Sequence, residues 1–246
     1  MFFRFAASMD IFPPAADSYR PGSRLSAFLI ALLLVFFVTD APGDVQAGVT
    51  AARHGNYKMA HAEFLREAKR DNAHAQVLLA ELYHKGLGVA QDYAVAAEWY
   101  AKAADQGHMV AQYMLGDYHR RGFGVERSYE QAVTWYRKAA DQNLALAQYA
   151  LAIHYRDGLG VTQDQQAATE WFERAARGGL AEAQINLAIR YWRGDAVGEN
   201  KVLAYAWMRK AAGQGHITAV QRLKGFESNM SEEEIAEGKQ KSMTLY

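Results

Sequence analysis

AHAQVLLAELYHKGLGVAQDYAVAAEWYAKAADQGH, residues 73–108, returns three more times at a strict 36-residue offset, starting at Met109, Ala145 and Ala181, with no insertion or deletion. Matched residues hold the register. Trp99, Trp135, Trp171 and Trp207 share one position, Gln76, Gln112, Gln148 and Gln184 another, and Gly86, Gly122, Gly158 and Gly194 a third. The pairs Ala103-Ala104, Ala139-Ala140, Ala175-Ala176 and Ala211-Ala212 form a fourth. A fixed period of this length marks a solenoid, whose units hide their apolar faces only against their neighbours. The predicted class is therefore all-α, a solenoid of helix-turn-helix repeats.

Within the first unit, residues 75–85 read as a helix. At about 100° per residue, Ala75, Leu79, Leu82 and Tyr83 share one face with Gln76 at its edge. Gly86 ends that helix, because a left-handed residue after a helix carries no steric penalty when it lacks a Cβ. Asp92, Ser128, Asp164 and Asn200 then fall at one repeat position, and all four are good N-caps. The second helix places Ala96, Trp99, Tyr100 and Ala103 on an apolar stripe, which assigns the tryptophans to the core. Gly107, Asn143, Gly179 and Gly215 close it. Its outer face carries Glu98 and Lys102, or Glu170 and Arg174, at the i,i+4 spacing of helical ion pairs.

The flanks read as caps. Residues 56–72 match the second half of the repeat, with Tyr57, Ala60, Phe64 and Ala68 aligned on Tyr93, Ala96, Tyr100 and Ala104, and Glu63 at the tryptophan position. A charged residue there suits a terminal unit without a neighbour, and Glu63 and Glu67 are expected to be solvated. A short helix over 48–54, stopped by Gly55, completes the N-terminal cap. After His216 a helix over 217–226 is expected. The pair Ser231 and Glu234 then forms a capping box that starts a polar helix to about Lys241, with 242–246 frayed.

Composition narrows the chemistry. Half of the 246 residues are hydrophobic, enough for a continuous core, and the net charge is zero, so nothing favours nucleic acid. With no cysteine, a disulfide framework, a thiolate metal site and a cysteine nucleophile are all excluded. All four prolines, Pro13, Pro14, Pro21 and Pro42, precede the repeats. Arg4, Arg20 and Arg24 lead into the apolar run of residues 27–38, which the polar TDAPGD segment follows. That run is shorter than the ~20 residues a bilayer needs but suits a secretory signal. Residues 1–47 are thus expected to be a signal, starting at Met1 or Met9 and cleaved after Ala47; an uncleaved anchor is the alternative. Either way the repeats are expected outside the cytoplasm, periplasmic or secreted, with no stable membrane span after cleavage. The expected organisation is signal 1–47, N-terminal half-repeat 48–72, repeats 73–108, 109–144, 145–180 and 181–216, and C-terminal caps 217–246.

The pattern AxAQxxL…GxGVxxD…AxxWYxKAAxQGH resembles the Sel-one-like repeat (SLR) family, relatives of tetratricopeptide repeats, from Gly48 to about Lys241. The resemblance implies a right-handed α/α superhelix that serves as an interaction scaffold. In exported bacterial members it implies envelope regulation, exopolysaccharide control or host contact. The fourth unit departs from the pattern, since Asp195 and Ala196 stand where the second turn glycine is expected. Hydrolysis of cell-wall peptides or β-lactams, as in cysteine-rich relatives, is the enzymatic alternative, and exopolysaccharide assembly is another; this chain lacks the cysteines that staple those relatives.

No HExxH, GxSxG, mature-chain SxxK or phosphate-binding glycine loop is present, so no catalytic residue and no cofactor is assigned. His84, His119 and His154 recur every 35 residues, one short of the repeat, so each is turned about 100° from the last and the three diverge instead of forming a metal site. Binding is expected where the repeats disagree. On the first helices these positions are Val77, Tyr113, Tyr149 and Ile185; Glu81, Asp117, Ile153 and Ile189; and His84, Arg120, Arg156 and Trp192. They share an arc of about 60°, which by the tetratricopeptide resemblance lines a concave groove. The alternative for the first of these rows is packing of one first helix on the next. The candidate partner-binding set is Tyr113, Asp117, Arg120, Tyr149, Ile153, Arg156, Ile185, Ile189 and Trp192, and the expected partner is a protein or peptide.

Overall fold

The computed structural model describes residues 45–245, so the expected signal before Val45, including the choice of Met1 or Met9, lies outside the described residues. The described residues form helices α1 (Gln46–Arg53), α2 (Tyr57–Ala68), α3 (Ala73–Lys85), α4 (Tyr93–Asp105), α5 (Met109–Arg121), α6 (Tyr129–Asp141), α7 (Ala145–Asp157), α8 (Gln165–Arg177), α9 (Ala181–Arg193), α10 (Lys201–Gly213), α11 (Ile217–Glu227) and α12 (Glu232–Thr244). No strand occurs among them, and the class is an all-α repeat solenoid. Two compact units divide the chain after Arg127, the first holding α1–α5 and the second α6–α12.

Capping residues set the start of every second helix of the repeats. Asp92 Oδ1 accepts from the Ala94 and Val95 amides at 2.9 and 3.0 Å, and Asp164 Oδ1 from those of Gln166 and Ala167 at 2.9 Å. Ser128 and Asn200 cap α6 and α10 in the same way, through Gln131 at 3.2 Å and Leu203 at 2.9 Å. These contacts satisfy donors that a helix start otherwise leaves open. The turn glycines do two different jobs. Gly86, Gly122, Gly158 and Gly194 are left-handed stops. The second glycine admits backbone against backbone: a Cβ on Gly88 would lie 2.5 Å from the Tyr57 carbonyl carbon, and one on Gly160 2.3 Å from that of Tyr129.

In the fourth repeat Ala196 takes that second place and keeps the left-handed backbone at φ +59°. A methyl in this region costs about 1–2 kcal/mol. Ala196→Gly is therefore expected to stabilise the second unit by about 1 kcal/mol, read as a higher urea midpoint at unchanged slope; an unchanged midpoint would mean that the turn tolerates the methyl without strain.

The glutamine position staples successive pairs. Gln76, Gln112, Gln148 and Gln184 are buried, and their Nε2 atoms donate to the Ala68, Ala104, Ala140 and Ala176 carbonyls at 3.2, 3.1, 3.3 and 3.1 Å. Each thus satisfies a carbonyl in the last turn of the preceding second helix, where intrahelical partners run out. The first unit's core includes Leu79, Leu82 and Tyr100, the second's Leu151, Phe172 and Leu187.

The tryptophans do not sit where the apolar stripe predicts. Trp99, Trp135 and Trp171 are half-buried, and the fully buried aromatic is the next residue: Tyr100, Tyr136 and Phe172. The exposed ring surface is covered by the cation at i+3, with Lys102 Nζ 4.1 Å from the Trp99 centroid, Lys138 Nζ 3.7 Å from that of Trp135 and the Arg174 guanidinium 4.5 Å from that of Trp171. Lys102 and Arg174 therefore serve the rings and not the expected pairs with Glu98 and Glu170; a cation over an indole face is worth about 0.5–1 kcal/mol at such sites. Trp207 alone is buried, and its i+3 cation, Lys210, binds the Leu245 carbonyl instead.

The caps differ from expectation in three details. Helix α1 begins at Gln46, so the expected cut after Ala47 falls inside it, and Val45 is fully buried. Glu67 is buried, not solvated, because Arg66 Nε and Arg70 Nη1 hold its Oε1 at 2.9 and 3.0 Å. Helix α12 starts at the expected capping box, with the Glu234 amide donating to Ser231 Oγ and the Ser231 amide to Glu234 Oε2. It then runs to Thr244 and does not fray at Ser242, whose Oγ accepts from Arg209 Nε at 3.2 Å. Gly238 lets α12 lie on α10, since a Cβ there would meet the Tyr205 ring at 2.6 Å.

Candidate partner-binding surface

The repeat-variable residues on the first helices differ sharply in what they leave exposed. In the first unit Val77 is buried and Tyr113 nearly so, and in the second Ile185 is buried while Tyr149 is half-buried. Most of this row is thus buried. Asp117 and Arg120 are partly exposed but bound to each other, and Asp117 also holds Arg121 Nε at 2.7 Å. Arg156 forms a two-pronged pair with Asp157 at 2.8 Å for each contact. That pairing raises the Arg156 pKa and lowers that of Asp157. Ile153 and Ile189 are half-buried, Ile153 packing on the core cluster of Ala152, Ala168 and Phe172. Trp192 is half-buried and stacks on Phe226 of α11, with ring centroids 4.0 Å apart and planes within 14°. The C-terminal cap therefore holds one face of Trp192.

Glu81 and His84 belong to an internal network of the first unit. The Tyr100 hydroxyl donates to Glu81 Oε2 at 2.8 Å, Lys85 Nζ lies 3.0 Å from Glu81 Oε1, and His84 Nδ1 lies 2.7 Å from the Tyr118 hydroxyl oxygen. Burial alone would push the Glu81 pKa up, but Lys85, His84 and the Tyr100 hydroxyl outweigh it and leave the carboxyl below its ordinary range. Burial, then the Glu81 charge, pushes both Tyr100 and Tyr118 above theirs. Burial lowers His84 despite Glu81 beside it. These groups satisfy one another within the first unit.

The three histidines at 35-residue spacing have separate settings. His84 contacts Tyr118, His119 Nδ1 lies 3.3 Å from the Glu126 carbonyl, and the buried His154 Nδ1 lies 2.7 Å from that of Leu159. Among the described residues no group of three or more histidine, aspartate or glutamate side chains is arranged to hold a metal, and no helix is long and apolar enough to cross a membrane.

Sequence reasoning placed Leu82 on the core face but did not follow that position through the repeats, where Tyr118, His154 and Arg190 occupy it. All four are buried, with Tyr118, His154 and Arg190 beside Tyr100, Tyr136 and Phe172 of the preceding second helix. Arg190 Nη1 donates to Thr169 Oγ1 at 2.9 Å and Nη2 to Gln165 Oε1 at 2.8 Å, while its guanidinium lies 5.4 Å from the Phe172 ring. Desolvation lowers its pKa. The signal was present as an apolar residue giving way to polar ones at a core position, where it marks variation in the junction and not in an exposed surface.

With this geometry in place, the similarities are informative. The Sel1 repeat model matches residues 73–108, 110–144, 145–180 and 181–216. Among solved structures, a Sel1 repeat protein from Oxalobacter formigenes is 32% identical at a TM-score of 0.69, covering 73% of this chain and 74% of that one. A protective antigen present in uropathogenic Escherichia coli strains, with an SLR fold, is also 32% identical, at a TM-score of 0.67; the match covers 76% of this chain and 41% of that one. No curated protein matches the chain.

Proposed function

The chain belongs to the Sel1 repeat family, and on that premise we propose that it is an exported, non-catalytic scaffold that holds a protein or peptide partner on the exposed edges of its first helices. The Sel1 repeat fold is typical of protein–protein interaction. The observation that carries the reading further is the pair of half-buried isoleucines in the second unit, Ile153 on α7 and Ile189 on α9. They occupy the same repeat position, and each keeps part of its side chain exposed, with the inner side of Ile153 packed on the core cluster of Ala152, Ala168 and Phe172. Around them stand Tyr149 and Arg156 on α7 and Ile185 and Trp192 on α9. An apolar centre with a polar rim is the usual anatomy of a binding patch. In the first unit the same positions carry Tyr113, Asp117 and Arg120, a more charged surface. Export rests on the N-terminal apolar run and its arginines, and an envelope or host-contact role follows from export.

A photo-crosslinking side chain placed at position 153 or 189 in the full-length protein, in its own cell envelope, is expected to trap the same defined partner. The same probe at Glu170, on the exposed face of α8, should not. Ile153→Asp is then expected to weaken capture about tenfold or more with unchanged helicity. Equal capture from position 170, or undiminished capture by the aspartate variant, would remove the first-helix surface from consideration.

A further inference from the structure

The start of α5 is built unlike the other first helices. At the start of α3, Asn72 Oδ1 accepts from the Ala75 amide at 3.1 Å. One repeat later the same position is His108, and its Nδ1 accepts from the Ala111 amide at 3.4 Å. An imidazole nitrogen accepts a hydrogen bond only while it carries no proton, so this cap exists only in the neutral form, with the proton on Nε2. The next two equivalents, Leu144 and Leu180, offer no side-chain cap, and His216 makes none.

His108 also has an imidazole beside it. The His74 ring, in the first turn of α3, meets it edge-on with centroids 4.8 Å apart and planes at 82°. Two repeats on, the equivalent pair is Leu146 and Leu180, and in the fourth repeat it is Glu182 and His216. The imidazole pair thus belongs to the first unit alone. His74 adds to burial in disfavouring a proton on His108, and a backbone hydrogen bond at His108 itself opposes them in part; Asp71 before α3 and Asp105 at the end of α4 are both exposed. A proton on Nδ1 would remove the cap, place a cation at the positive end of a helix and press it against a second imidazole, and all three effects act in one direction.

We propose that the His74–His108 contact is an acid-sensitive latch between the first two repeats, released when His108 is protonated and loses its hold on the start of α5. Neutral capping couples folding of this junction to the proton. Burial, then His74, lowers His108 from the ordinary 6.5 to about 4. A group with its folded pKa depressed binds fewer protons when folded than when unfolded between those two values. Stability from this group is therefore complete above about pH 6.5 and falls as the pH drops towards 4. Across that window the unfolding constant of the junction rises on the order of 100-fold.

The test uses the full chain and hydrogen exchange, corrected for the intrinsic pH dependence of exchange, at about pH 7.5 and about pH 4.5. Protection over residues 109–118 is expected to fall on acidification while that over the equivalent residues 181–190, which carry no histidine, holds. His108→Asn restores the cap seen at Asn72 without a titrating group and is expected to abolish the loss. His74→Leu keeps the cap but removes the second imidazole, and is expected to move the midpoint of the loss to higher pH. Equal acid loss in wild type and His108→Asn, or equal loss over the two segments, would overturn the latch.

Discussion

Gly160→Ala is expected to cost about 2–5 kcal/mol, among the heaviest penalties for adding one methyl group anywhere in this chain. Two penalties combine. The residue has φ +72°, where an L side chain is strained by about 1–2 kcal/mol. The new Cβ would also fall 2.3 Å from the Tyr129 carbonyl carbon, and a rigid backbone at that distance has to move, which costs about 1–3 kcal/mol. Gly179→Ala separates the two, since Gly179 has φ +89° but nothing within 4 Å of the position a Cβ would take. Urea unfolding of the two variants should therefore differ by the packing share alone. Equal losses would show that backbone conformation, and not the close approach of turn to helix, explains the second glycine.

Phe172→Ala is expected to cost about 3–5 kcal/mol, whereas Trp171→Ala, one residue earlier and larger, should cost only about 1–3 kcal/mol. Phe172 is fully buried with Ala152 and Ala168 around it, so truncation leaves a cavity. Trp171 packs only partly on that cluster and gives one face to Arg174. Its removal mainly uncovers surface that water already reaches in part. Thermal and urea unfolding of the two variants rank them, and a larger loss from Trp171→Ala would return the indole to the core.

This contrast shows what the sequence could and could not reveal. Caps and stops were legible because each is decided by one residue: Asp92, Ser128, Asp164 and Asn200 start helices as expected, and Gly107, Asn143, Gly179 and Gly215 all take positive φ. The tryptophan position was misjudged because a 3.6-residue stripe fixes only a direction within about one residue. Trp99 and Tyr100 are adjacent on the helix, and neighbouring elements decide which is enclosed. The candidate surface was harder still. Variation between repeats picked out Ile153 and Ile189, which are half-exposed, but equally Glu81, which is buried because Lys85 and Tyr100 accept its charge. Sequence variation at a position records a change of neighbours, inside or out, and only burial tells the two apart. The Trp192–Phe226 stack, formed with a helix outside the repeat period, had no periodic signal to announce it.

The glutamine staple has a consequence for how this chain can change length. Each carboxamide reaches back the same eight residues to an alanine carbonyl. One residue gained or lost inside that reach would swing the amide about 100° off its target. Growth or shortening is therefore quantised in whole blocks of 36. Excising residues 145–180 would hand Gln184 the Ala140 carbonyl in place of that of Ala176, like for like. The molecule is a ruler with fixed graduations, free to be cut at any mark but not between marks.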